Sequence, residues 1–354
     1  MSQSVVYTNR VGECLDAIVS DLAPSRLFVL VDDNTGCCVL PRLAEECRLI
    51  NEAHIISIAP GDENKTLEAL THVWHELSAN GATRSSLLIN VGGGMVTDLG
   101  AFAASTFKRG MPFVNIPTTL LAAVDASVGG KTGINFNNLK NEIGVFSEAR
   151  TVIISTQYFD TLPAEELRSG YAEVVKHSLL DTAVSFDALI RQNVCDIGHD
   201  TLLDIVRRSV GVKEKIVAQD PHENGLRRSL NLGHTAGHAF ETLALTRHNP
   251  IPHGCAVAHG LIVTLILSHM KLGLDTSLLY KLSSWVSMNY DFFRFTCDDY
   301  PDLVELMAHD KKNRQAGEIS FTLLRSIGAA ECGVVVSHAD IKTAFDIYRD
   351  IMKI

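Results

Sequence analysis

Short runs of branched apolar residues punctuate the first half of the chain. They are RLFVLVD (26–32), HIISIAP (54–60), SSLLINVGGG (85–94), MPFVNIPTT (111–119) and RTVIIS (150–155). Near-continuous apolar runs of this length predict strands buried on both faces. A polar helical stretch follows Asp32. KTLEALTHVWHELSANG (65–81) carries apolar residues at helical spacing and ends in a Gly, a helix stop. Strand and helix alternating in this way predict a mostly parallel sheet covered by helices.

The pattern changes near Leu162. LPAEELRSGYAEVVKHSLL (162–180) begins with a Pro near a helix N-terminus. TLLDIVRRSVGVKEKIVAQD, LNLGHTAGHAFETLAL and CAVAHGLIVTLILSHMKLG also read as helices, and a weak β pair is expected in EISFTLLRSIG (318–328). The expected organisation is an α/β N-terminal domain over residues 1–160 and a mostly α-helical C-terminal domain over 161–354. Ligands often bind between domains, so the active site is expected in the interdomain cleft.

Composition narrows the function classes. The chain has 354 residues, 46% of them hydrophobic, which suits two folded domains. A net charge of −10 argues against non-specific nucleic-acid binding, which needs a basic field. MSQSVVYTNR lacks a basic start followed by an apolar run, so no secretory signal is expected. The longest apolar stretch, Gly260 to Ser268, is too short to span a bilayer. The eight cysteines show no CxxC pair, as expected for reduced thiols of a cytoplasmic protein.

Four motifs carry candidate chemistry. GGGMVTDLG (92–100) follows a strand and opens a helix, a place where backbone N–H groups can meet a phosphate. It fails the GxGxxG dinucleotide pattern, because Thr97 stands at the sixth position. VDASVGGKTG (124–133) fails the P-loop pattern at Asp125, leaving a glycine loop with an acid and a cation. AEVVKH (172–177) places Glu173, Lys176 and His177 within one helical turn; a solvated face is the plain reading, but its apolar flanks point inward. HTAGH (234–238) offers two histidines at i, i+4 without the Glu of a HExxH site. With His253 and Glu173 there are four candidates for the three protein ligands of a catalytic zinc-type site, and spacing alone does not choose among them. Arg109, Lys131, Lys140, Lys176, Lys213, Arg227, Arg228, Lys311 and Lys312 recur near these motifs, and several in one cleft would suit a multiply anionic substrate.

Long stretches together are more specific than any of these. GGGMVTDLGAFAASTFKRG, IPTTLLAAVDASVGGKTGINF, LKNEIGVF, LPAEELRSGYAEVVKH, GLRRSLNLGHTAGHAFE and DKKN, in this order, closely resemble the 3-dehydroquinate synthase family, from about Asp32 to about Gly328. The resemblance implies conversion of 3-deoxy-D-arabino-heptulosonate 7-phosphate into 3-dehydroquinate and phosphate in the shikimate pathway. It implies NAD, a divalent zinc or cobalt ion, and a homodimer. By resemblance, the metal ligands are Glu173, His234 and His253. His238 then lies by the substrate phosphate with Lys131, Asn141 and Asn231, and with Arg109 from the partner subunit. Lys213 and Arg227 hold the carboxylate and hydroxyls, with Lys311 nearby. Asp125 and Lys176 sit by the reacting hydroxyl.

For NAD, the resemblance points to Asp32, Asp62, Lys65, Gly93, Gly94, Met95, Asp98, Thr118, Thr119, Lys140, Tyr158 and Thr161, with Lys131 at the boundary with the substrate. Asp62 stands where most relatives have Glu, Cys255 where many have Glu, and Ser178 where Gly is common. Two readings compete within the superfamily and fold: another sugar phosphate cyclase, such as an aminodehydroquinate synthase, and a metal-dependent polyol dehydrogenase. A non-catalytic binding subunit is the reading from a different class.

Overall fold

The computed structural model describes residues 3–137, 139–308 and 318–354. The chain forms two compact units: Met1–Pro163 with Gly198–Val210, and Ala164–Ile197 with Gly211–Ile354.

The first unit contains β1 (Ser4–Tyr7), α1 (Val11–Leu22), β2 (Leu27–Asp32), α2 (Asp33–Cys38), α3 (Leu40–Glu46), β3 (His54–Ile58), α4 (Leu67–Ala79), β4 (Leu87–Gly92), α5 (Gly94–Thr106) and β5 (Phe113–Pro117). It also contains β6 (Lys131–Phe136), β7 (Leu139–Phe146) and β8 (Thr151–Ile154). Six strands form one parallel sheet in the order β1-β8-β5-β4-β2-β3. Every residue of β4, β5 and β8 is buried, which is why these strands read as near-continuous apolar runs; the buried Asn90 of β4 donates a hydrogen bond to the buried Asn115 of β5. β1 was not expected: SVVY is four residues long and only partly buried. Nor was the antiparallel pair β6–β7, whose second strand is exposed throughout and carries no burial pattern.

Topology places the ends of the strands that matter. β2 pairs with β3 on one side, and the chain then returns to pair β4 on the other. Register aligns Asp32 with Ile58, and Gly92 with Pro117. The carboxyl ends of β2, β4 and β5 therefore surround the point where strand order reverses, the usual ligand position in open parallel sheets.

The second unit contains α6 (Ala164–Leu179), α7 (Ala183–Leu189), the C-terminal part, from Gly211, of α8 (His199–Gln219), α9 (His234–Thr246), α10 (His253–Leu272) and α11 (Thr276–Asn289). α12 (Tyr300–Ala308), the antiparallel pair β9 (Ile319–Ser326) and β10 (Ala329–Val336), and α13 (His338–Met352) complete it. The expected β pair is real but longer, since β10 extends to Val336. α10 is the core helix, buried almost continuously from Gly254 to Ser268. By length and composition it could cross a membrane, though 72% of that stretch is buried as in a core helix. Phe240 seats α9 in an aromatic cluster with Phe293, Phe295, Phe345 and Tyr348, its ring 4.8 Å from that of Phe293.

Candidate functional site

In the second unit, Glu173, Lys176 and His177 of α6 are buried rather than solvated. The Glu173 carboxylate has no accessible surface, and its Oε2 is paired with the Lys176 ammonium. Its Oε1 faces Nε2 of His234 at 3.6 Å and Nε2 of His253 at 3.9 Å. Both distances exceed a hydrogen bond. Two ligands each about 2.1 Å from a zinc ion, at a tetrahedral angle, stand roughly 3.4 Å apart. The spacing of these three groups therefore fits a shared dication, which would also offset the cost of burying the carboxylate.

The histidine rings are held for this. His234 Nδ1 lies 3.2 Å from the Leu232 carbonyl, and His253 Nδ1 lies 3.1 Å from Glu241 Oε2. An acceptor at Nδ1 puts the proton there and leaves the Nε2 lone pair to ligate. Gly233 begins α9 with φ of +81°, and a Cβ there would stand 2.8 Å from the Leu261 side chain. His238 joins the group, its ring 5.3 Å from His234 and 5.6 Å from His253. His234, His238 and His253 also bring one donor atom each within 4.8 Å of the others. Geometry thus makes His234 and His253 common to two triads and leaves Glu173 and His238 as alternatives for the third place.

α9 begins only at His234. Asn231 belongs to the 3-10 turn Leu226–Asn231, separated from the helix by the left-handed Gly233, which corrects the expectation of one helix through 230–245. Asn231 donates to Glu223 Oε1 at 2.8 Å. Arg227 is buried and donates to the Pro221 carbonyl. The turn is organised by Asp220, whose carboxylate accepts from the backbone N–H groups of Asn224, Gly225 and Arg227. These bonds hold the Asp220 carboxyl below its ordinary value against the opposing effect of desolvation. Lys213 is buried on α8. Burial pushes the Cys255 thiol up to about 12, so it packs as a neutral group. Lys311 lies outside the described residues.

In the first unit, α5 starts at Gly94 with Gly93 as its cap. A Cβ on Gly92 would stand 2.5 Å from the Val96 Cβ, one on Gly93 3.1 Å from Thr119, and one on Gly94 3.2 Å from Ala126. The glycines allow this close approach. Thr118 N–H donates to the Gly92 carbonyl, and Thr119 Oγ1 accepts from Ala122 N–H. Met95 follows on the same first turn.

A polar chain crosses this unit. Lys65 is buried and its ammonium bonds Asp98 Oδ2 and Asn141 Oδ1, each at 2.5 Å. Burial raises the Asp98 carboxyl above its ordinary value while Lys65 pulls the other way. Lys140 pairs with Asp62 at 3.2 Å. Asn135 joins both halves: its amide donates to the Asp62 carbonyl, and its Oδ1 accepts from Asn141 N–H.

Other expected residues stand apart from this chain. Asp32 caps α2 through Thr35. Tyr158 is in the core, its hydroxyl donating to Glu46 Oε2 at 3.3 Å, and burial raises its pKa. Thr161 is exposed in the turn before α6, and Lys131 is exposed at the start of β6. Asp125 lies on the π turn Ala122–Ala126. Arg109 is exposed, with φ of +68° beside Lys108 at +49°. Glu241, Asp220 and Asn135 were not anticipated. Glu241 alone had a legible signal, at i+7 from His234 on the same helix face.

Comparison with known proteins places these features in a family. Residues 55–169 match the 3-dehydroquinate synthase N-terminal model, and residues 170–313 match the 3-dehydroquinate synthase C-terminal model. A 3-dehydroquinate synthase of Parabacteroides distasonis is 43% identical over 98% of both chains. That of Pyrococcus abyssi is 41% identical over 89% of this chain and 91% of its own. Among solved structures, a 2-epi-5-epi-valiolone synthase from Streptomyces hygroscopicus subsp. jinggangensis, with NAD+ and Zn2+ bound, superposes with a TM-score of 0.85. It is 26% identical, covering 99% of this chain and 96% of its own.

Proposed function

The chain belongs to the 3-dehydroquinate synthase family, and from that premise we propose how its own residues divide the work. Its function is the conversion of 3-deoxy-D-arabino-heptulosonate 7-phosphate into 3-dehydroquinate and inorganic phosphate. One secondary hydroxyl is oxidised transiently, phosphate leaves by β-elimination, and the hydride returns. The ring then opens and closes by an intramolecular aldol step. The net reaction is not a redox reaction. Bound NAD supplies the reversible hydride exchange, and a bound zinc or cobalt ion polarises the reacting hydroxyl.

Glu173, His234 and His253 hold the metal. The observation that carries this reading is the buried Glu173 carboxylate facing two histidine Nε2 atoms at 3.6 and 3.9 Å, with both Nδ1 atoms beside acceptors. Glu173 Oε1, the oxygen away from Lys176, approaches both Nε2 atoms, which favours Glu173 for the third place. Lys176 and Asp125 serve the reacting hydroxyl, and the Lys176 ammonium, paired with Glu173, is a proton donor there.

His238, Lys131, Asn141 and Asn231 hold the phosphate, joined by Arg109 from the partner subunit of a homodimer. The Asn141 oxygen accepts from Lys65, so its amide nitrogen is the atom that would donate to a phosphate oxygen. Lys213 and Arg227 orient the carboxylate and hydroxyls.

NAD is held on the first unit. Gly93, Gly94 and Met95 offer backbone donors to the pyrophosphate at the N-terminus of α5. Asp32, Asp62 and Lys65 face the ribose side. Asp98, Thr118, Thr119, Lys140 and Thr161 complete the pocket, while the Tyr158 side chain, also expected there, is committed to the core. The protein acts in the cytoplasm, in the shikimate pathway.

The match at 43% identity to a dehydroquinate synthase, against 26% to the valiolone synthase, favours this substrate over those of sister cyclases. The test is incubation of metal-loaded protein with the heptulosonate phosphate and NAD, following phosphate release and NADH absorbance together. Phosphate release without accumulating NADH is expected. Stoichiometric NADH from glycerol or another polyol would instead identify a dehydrogenase.

A further inference from the structure

α9 carries His234, His238 and Glu241 at i, i+4 and i+7, a spacing that puts all three on one face. His238 and His234 belong to the histidine cluster; Glu241 is in neither triad of candidate donors. Its Oε2 lies 3.1 Å from Nδ1 of His253, on the side of the ring away from the Nε2 that faces Glu173. Both partners are partly buried, with side-chain exposures of 27% for His253 and 16% for Glu241.

The two histidines solve the same problem differently. His234 uses the carbonyl of Leu232, two residues before it. His253 is the first residue of α10 and follows Pro252, so its Nδ1 takes its acceptor from another helix. The acceptor is a carboxylate, which fixes the ring's tautomer and, through its charge, strengthens Nε2 as a donor.

We propose that Glu241 is a positioning residue of the metal centre, acting through His253: it orients the imidazole, keeps the proton on Nδ1 and raises the affinity of the site for its divalent ion. The proposal rests on the reading of Glu173, His234 and His253 as metal ligands. Glu241 touches neither substrate nor metal in this arrangement. Its removal therefore acts on metal binding first and on turnover as a consequence.

The experiment is a zinc titration of the full-length protein, stripped of metal, against a chromophoric chelator. It compares wild type, Glu241→Ala and His253→Ala. The cobalt(II) absorption spectrum of each is recorded in parallel, and the melting temperature of each metal-free protein serves as a fold control. Glu241→Ala should bind zinc roughly 10- to 100-fold more weakly, the usual range for loss of an outer-shell partner. Its cobalt bands should shift while the metal-free melting temperature stays near wild type. If Glu241→Ala does not fold, Glu241→Met, which keeps the bulk and lacks an acceptor, carries the same reading. Wild-type zinc affinity with an unshifted cobalt spectrum in the folded variant would overturn the role of Glu241. Wild-type affinity in His253→Ala would instead overturn the ligand assignment beneath it.

Discussion

Gly260 of α10 lies against Gly237 of α9 so closely that a Cβ on Gly260 would stand 2.6 Å from the Gly237 nitrogen and 2.2 Å from the Gly233 carbonyl oxygen. The obstructing atoms are all backbone, so no side-chain rotation relieves the clash. His234 begins one of these helices and His253 the other, so the contact sets the distance between two proposed metal ligands. Gly260→Ala should cost about 1–3 kcal/mol by overpacking and should weaken zinc binding, with α9 displaced from α10. Gly211→Ala is the control. It lies inside α8 with nothing near its Cβ position, and should stabilise the fold by up to about 1 kcal/mol. Urea unfolding and zinc titration of both variants check this.

His238→Ala separates the two triads. If Glu173 completes the metal site, the variant keeps its metal and loses rate, on the order of 10²-fold or more for one oriented contact. His234→Ala and His253→Ala lose metal and activity together, and Glu173→Gln binds metal weakly. Metal content of each purified variant, by elemental analysis, decides. Metal-free His238→Ala would move His238 into the ligand set.

Much of this was legible along the chain, for a physical reason. Strands buried on both faces are predominantly apolar, so β2, β4, β5 and β8 announced themselves. β7 is exposed at every position and left no such trace, and β1 is too short to show a period. Spacing brought His234 and His238 to one helix face but could not bring in His253, which arrives by a separate helix. Glu241 occupied a readable i+7 position, yet an acid on a helix reads as solvated until its histidine partner is located. The glycine contacts between α9 and α10 are visible only in three dimensions, because the atoms they accommodate are remote in sequence.

Arg109 is held at φ of +68° between Lys108 at +49° and Gly110 at +114°. Two successive non-glycine residues in the left-handed region store strain, of order 1–3 kcal/mol each. A charged, exposed side chain presented this way fits a contact made for a ligand rather than for the fold. Arg109→Gly should leave stability unchanged or raise it by about 1 kcal/mol, the relief being partly offset by the freer unfolded chain. The KM for the heptulosonate phosphate should rise on the order of tenfold or more, as expected when a charge-assisted phosphate contact is lost. Thermal unfolding and steady-state kinetics measured on one preparation test the two halves. A loss of stability with unchanged KM would make the turn structural.

His259 is buried on α10 with both ring nitrogens engaged: Nε2 lies 2.9 Å from the Asp291 carbonyl and Nδ1 2.9 Å from the Tyr348 hydroxyl. The neutral ring satisfies both, donating to Asp291 and accepting from Tyr348. Burial pushes its pKa down to about 4. The folded value lies below the unfolded value of about 6.5, so the unfolded chain binds more protons between the two. The stability this group contributes is therefore complete above about pH 6.5 and is lost as pH falls toward 4. The full loss is about 3 kcal/mol, at 1.36 kcal/mol per unit. His259→Gln keeps a donor for Asp291 and an acceptor for Tyr348 but does not titrate. Urea unfolding of both proteins, metal-free, at pH 7.5, 6 and 5 isolates the effect. Other titrating groups are common to both proteins and cancel in the difference. Wild type should lose stability faster than His259→Gln over this range, and parallel curves would show that His259 titrates near its ordinary value.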